Sequence, residues 1–201
     1  MKNLIIVCAM AIASFTIIAC NNTSKSSATN TDTTGKTNPT SAASSMMATK
    51  QGVDAKAATA VNGLVGNYLQ LKNALTKDNS KDAAAAGKTL SDGFTNFDKS
   101  ALTAVQKKSF EDIADDAKEM AEHIGMSADK LPHQREHFDM LSKDMYDLVK
   151  AFGAGEPLFV DHCPMFNNKK GAIWLSETKE IKNPYMGSGM STCGSVKEEL
   201  K

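Results

Sequence analysis

Between Asp54 and Gly153, apolar residues recur at spacings of three and four in four successive runs. That period matches the α-helical turn and puts each set on one stripe. The first run spans about Asp54 to Lys77, with Ala57, Val61, Leu64, Tyr68, Leu71 and Leu75 on its stripe. Asp78-Asn79-Ser80 interrupts it and offers a cap to the second, about Lys81 to Phe97, which carries Ala83, Ala86, Leu90, Phe94 and Phe97. Gly87 and Gly93 make this second helix the weakest by propensity. The third opens on Thr103 and Gln106, a capping-box pair, buries Phe110, Ile113, Ala117, Met120 and Ile124, and stops at Gly125. The fourth starts near Pro132, harmless in a first turn, and runs through Leu131, Phe138, Leu141, Met145, Leu148 and Phe152 to Gly153. Short connections favour antiparallel neighbours. The fold class expected is mainly α, an up-down four-helix bundle with an irregular Cys- and Met-containing C-terminal segment packed on it.

Composition agrees and narrows the function. The 201 residues carry 23 Lys+Arg and 23 Asp+Glu, and 41% are hydrophobic. Such a chain buries a core, and its zero net charge without a basic block excludes nucleic-acid binding as a first reading. Aromatics are only 6%, which disfavours an all-β fold.

The N-terminus reads as an export signal. Lys2 precedes an apolar run from Leu4 to Ala19, too short for a comfortable membrane span, and Ala19-Cys20 is followed at once by Asn21-Asn22. The segment resembles a bacterial lipoprotein signal, residues 1–19, with Cys20 as the lipidated first residue of the mature chain. An ordinary signal peptide or an uncleaved anchor is the plainer alternative. Residues 20–50 then form a Ser-, Thr- and Asn-rich tether with almost nothing to bury, which stays extended over roughly 30 Å. Met46 and Met47, its large apolar residues, start packing against the domain. The helical part is 51–153, and 154–201 completes the same domain.

In that last segment the helical rhythm stops. Leu158-Phe159-Val160 suggests a short strand, and Trp174, Leu175 and Ile181 are expected to pin the segment to the helices. Cys163 and Met165 flank a proline; in extended backbone, positions i and i+2 face one side, so both sulfurs can address one ion. Met190 and Cys193 are three apart and can do the same from a turn. Met186 and His162 are further donors. Thiolates, thioethers and an imidazole make a soft set that favours Cu(I), and by extension Ag(I); Zn(II) competes for the thiolates, but thioether suits it poorly. The competing reading of the cysteines is a disulfide. Cys163 and Cys193 are an even pair in an exported chain, and closing a loop of about thirty residues contributes roughly 3–4 kcal/mol. Spacing alone does not decide between them.

On the helices, His133 and His137 are four apart and share a face, and His123 ends the preceding antiparallel helix. The three are a candidate auxiliary metal site, set against solvated or hydrogen-bonded histidines. No inward Glu-x-x-His pattern repeats on two helices, which disfavours a di-iron bundle. Met120, Met140 and Met145 read as core filler.

The string His162-Cys163-Pro164-Met165, then Gly171-Ala172-x-Trp174-Leu175, then Ile181-x-Asn183-Pro184-Tyr185-x-Gly187-x-x-Met190-x-x-Cys193-Gly194, resembles the DUF3347 family. The resemblance covers about residues 55 to 195 and includes the helical Gln134-Arg135-x-x-Phe138-x-x-Leu141-Ser142. It implies an exported helical domain with a sulfur-rich tail, of the kind also appended to periplasmic adaptor subunits of heavy-metal efflux pumps, and a role in copper or silver handling. The matching ligand positions are Cys163, Met165, Met190 and Cys193. Met186 departs from the family's usual Phe and reads as filler of the same apolar space.

Enzymatic readings fare worse. His162 and Cys163 are neighbours whose side chains diverge in an extended chain, a poor nucleophile–base pair. The sequence contains no G-x-S-x-G, P-loop, Rossmann fingerprint or Cys-x-x-Cys. The expectation is therefore a non-enzymatic lipoprotein anchored in the bacterial envelope, on the periplasmic face of the outer membrane. It binds Cu(I) or Ag(I), with Zn(II) as competitor, and passes it to an efflux adaptor or copper carrier. The alternative is a helical interaction domain, stapled by Cys163–Cys193, that docks an envelope partner.

Overall fold

A computed structural model of the chain describes residues 52–201. Four helices come first: α1 (Ala55–Thr76), α2 (Ser80–Thr95), α3 (Ala104–Gly125) and α4 (Leu131–Phe152). Three strands follow: β1 (Leu158–Cys163), β2 (Ala172–Ser176) and β3 (Ser195–Leu200). The signal sequence, Cys20, the tether and Met46–Met47 lie outside the described residues.

The first three helices each start where a side chain accepts from an otherwise unpaired N–H. Asp54 caps α1 by accepting from Lys56, and Asn79 caps α2 by accepting from Asp82. Thr103 and Gln106 complete a reciprocal capping box on α3. On α4, Pro132 occupies the first turn, and Gly153, at φ 85°, ends the helix.

The helices pack in series, α1 on α2, α2 on α3 and α3 on α4. The two glycines expected to weaken α2 have a packing reason. A Cβ on Gly87 would sit 2.9 Å from the Ala121 carbonyl and 3.0 Å from the Ile124 side chain. Glycine there lets α2 approach the backbone of α3, and the close crossing offsets the propensity lost. Tyr68, Phe110, Ile124, Phe138, Leu141, Met145 and Phe152 are fully buried between the helices. Phe97 lies beyond the end of α2 but still stacks on Phe110, with ring centroids 4.0 Å apart. Of the three methionines read as filler, Met145 is buried and Met120 partly so, whereas Met140 is exposed.

The C-terminal segment corrects the expectation of irregular structure. It forms a three-stranded antiparallel sheet in the order β2-β1-β3. The sheet lies on α4, and Trp174 and Leu175 are fully buried. Its strand β3 reads Ser-Val-Lys-Glu-Glu-Leu, with no apolar alternation to announce it. It pairs because β1 has a free edge, and its charges keep the new edge soluble. A bulge between Val160 and Asp161 shifts its register by one residue. Glu198 ties it to α4, accepting from Tyr146 Oη at 2.9 Å and from Lys150 at 2.8 Å.

Candidate functional site

The C-terminal sulfurs are carried by the end of β1 and by the loop from β2 to β3. Cys163 is the last residue of β1, opposite Ala172 of β2, and is fully buried. Cys193 lies thirty residues on, two positions before β3. The two thiols are free and lie within hydrogen-bonding reach of each other. Burial first, and then the adjacent Cys163 thiol, push the Cys193 thiol above its ordinary value.

Gly194 permits this meeting. Its φ of 145° is one that residues with side chains rarely adopt, and a Cβ there would stand 2.9 Å from the His162 carbonyl and 3.0 Å from the Trp174 ring. The chain can therefore lay Cys193 against the end of β1 and then enter β3.

Asn183 organises the rest of the loop. It is fully buried; its side-chain amide donates to the Cys193 carbonyl at 2.6 Å, and its Oδ1 accepts from the N–H groups of Tyr185 at 2.8 Å and Met186 at 3.1 Å. Its own N–H donates to the Ser191 carbonyl, and Cys193 N–H to that of Met190. Tyr185 plugs the loop into the core between the rings of Phe138, Phe166 and Trp174, at 5.6, 4.5 and 6.0 Å. From the helices, Arg135 donates to the carbonyls of Pro184 at 2.8 Å and Leu75 at 3.1 Å, and pairs with Asp78. Asp78 in turn accepts from Ser188. Those bonds from Ser188, and then the guanidinium, hold the Asp78 carboxyl down at about 2.

The other expected donors are placed differently. Met165 does not continue the extended strand: its backbone is right-handed helical (φ −91°, ψ −26°), and its side chain is exposed. The argument that Cys163 and Met165 share a face across Pro164 fails there, because β1 ends at Cys163 and the chain turns. Met190 is exposed, and Met186 packs partly buried against the core, as an apolar filler would. Strand alternation sends His162 to the face of β1 opposite Cys163, and its ring lies over Gly171. Among the described residues, no group of three or more His, Cys, Asp or Glu side chains is arranged to hold a metal ion. Met165 and Met190 offer exposed thioethers on the same segment.

Asn183 and Arg135 were not singled out as site residues in the sequence. The available signal was weak: a polar residue before proline, and the only arginine of the chain.

Where the end of α3 meets the start of α4 the three helical histidines do meet. His133 Nε2 and His137 Nε2 are 3.1 Å apart, and the His123 ring stacks parallel on His137 with centroids 4.6 Å apart. His137 Nδ1 is 3.3 Å from Met120 Sδ. His133 Nδ1 is 3.5 Å from Glu136 Oε2, and His123 Nε2 is 3.6 Å from Glu119 Oε1. Partial burial, then the neighbouring imidazoles, lower the His137 pKa and favour its neutral form.

Fold and site together define a helical protein with a small C-terminal sheet that presents a pair of free, neighbouring thiols. The family model described as "Protein of unknown function (DUF3347)" matches residues 64–156. That stretch runs from within α1 to the loop after α4, and over it the chain is similar to DUF3347. The match ends before Cys163, so the sulfur-bearing tail lies beyond it. No curated protein and no solved structure matches the chain.

Proposed function

We propose that this is a cell-envelope lipoprotein that binds a soft monovalent cation, Cu(I) or Ag(I), through Cys163 and Cys193 with thioether help from Met190 and Met165. The observation that carries the reading is the contact between two free thiols thirty residues apart in sequence, one at a strand end and one on a loop buttressed by Asn183 and Arg135. Preformed thiol pairs of this kind suit d10 cations, and mobile methionines can close over the ion without deprotonating. Capture releases thiol protons, because the thiolate is the ligand. His162 and Met186 are outside this ligand set, the first by strand alternation and the second by its packing.

The cation is cargo in this proposal, passed by ligand exchange to an efflux adaptor or another copper carrier. Attachment is through lipidated Cys20, on the periplasmic face of the outer membrane. Among the described residues no helix is long and apolar enough to cross a membrane, which is compatible with such an anchor. In the same reading the four helices close as an up-down bundle. Its support is the contact of α1 with α4, where Tyr68 stacks on Phe138 at 5.2 Å and its hydroxyl meets Ser142 Oγ at 2.8 Å.

Titration of the reduced protein with Cu(I) against a competing chelator tests the proposal. The expected result is one equivalent bound, abolished by Cys163→Ser and weakened by Met190→Leu. No copper uptake by a folded, reduced protein overturns it and leaves the disulfide-stapled interaction domain as the reading of the same thiol contact.

A further inference from the structure

We propose that His133 and His137 form a second metal clamp, independent of the tail, for a borderline divalent cation such as Zn(II) or Cu(II). Both residues lie in the first turns of α4, four apart, so one helix face carries both rings. Their Nε2 atoms are 3.1 Å apart while the ring centroids are 4.4 Å apart, so the nitrogens are the facing atoms of the pair. Two imidazole nitrogens, each about 2.0–2.1 Å from one ion at an angle between square-planar and tetrahedral, lie about 3 Å from each other. The spacing is already that of a chelate.

The outer partners fit the same role. Ring nitrogens that bind metal are oriented by a hydrogen bond from the other ring nitrogen. The Glu136 carboxylate faces His133 Nδ1, and the Met120 thioether faces His137 Nδ1. Without metal, a single ring proton serves the Nε2–Nε2 contact. When the cation enters, that proton leaves Nε2 of His137, and Nδ1–H is the tautomer that donates to Met120 Sδ. Both Nε2 lone pairs are then free for the ion, and the ring keeps one proton throughout. His123 stacks on His137 from α3 and fixes the plane of its ring without sharing the contact. Among the described residues no third His, Cys, Asp or Glu joins the pair, so water completes the coordination.

With 45% of the His133 side chain accessible and His137 only partly buried outside the core cluster, alanine variants leave the core intact. The test uses the chain with Cys163→Ser and Cys193→Ser, which removes the tail thiols and makes the outcome separable from that of the Cu(I) titration. Zn(II) is added while the histidine ring nitrogens are followed by NMR. The expected result is one Zn(II) per chain, shifting the Nε2 resonances of His133 and His137. Losing either ligand weakens binding by at least the about 10–100-fold that an outer-shell partner is worth, whereas His123→Ala changes it less than about threefold. Absence of Zn(II) uptake, or uptake that survives both His133→Ala and His137→Ala, overturns the proposal.

Discussion

Asp161 is the most exacting single residue of the sheet. It is fully buried in β1, and neither carboxylate oxygen has a hydrogen-bond partner among the described residues. Trp174, directly opposite on β2, is also buried, and its Nε1 has no partner there either. Lys72 is almost completely buried but is held by Glu177 at 2.6 Å. Desolvation outweighs the attraction of Lys72 and lifts the Asp161 carboxyl to about 7. An acid whose pKa is raised on folding contributes stability that is full below its unfolded value of about 4 and is lost as pH rises through about 7. Asp161→Asn mimics the neutral acid. Urea denaturation at pH 5 and pH 8 should show the variant gaining on the wild type at the higher pH, by an amount on the order of a few kcal/mol. An unchanged difference between the two pH values would contradict the raised pKa.

At the scale of elements, the four helices were written in the sequence and the sheet was not. Period, caps and stops fixed α1 to α4 to within two residues, because each helix carries its own amphipathic stripe and its own punctuation. Strand β1 showed half of itself as Leu158-Phe159-Val160; Asp161 and His162 hid the rest, since a buried acid breaks the apolar run. Strand β3 carries no pattern at all, and its pairing is a tertiary event. The same limit governs the site. The cysteines and methionines could be named from chemistry, but the contact of Cys163 with Cys193 depends on Gly194 and Asn183, whose roles are set by backbone geometry. Gly194→Ala therefore carries a specific expectation. The left-handed φ and the clash with the His162 carbonyl should cost about 1–3 kcal/mol in denaturant unfolding. They should also slow trapping of the two thiols by a short bifunctional reagent. A variant as stable as the wild type, with its thiols trapped equally fast, would show that the loop does not need this turn.

At the largest scale, the four helices form a platform and the sheet carries the long loop that holds Cys193. Arg135, Asp78 and Tyr185 fasten that loop to the platform at three points, while Met165 and Met190 stay at the surface. In the proposed function the two thiols and the exposed thioethers receive an ion and give it up by stepwise exchange of donors. X-ray absorption at the copper edge of the Cu(I)-loaded protein reads those donors directly. The account predicts a first shell of sulfur alone, supplied by both cysteines and at least one methionine, and its loss in the Cys163→Ser, Cys193→Ser protein. A shell dominated by nitrogen or oxygen, or one unchanged in that variant, would contradict it.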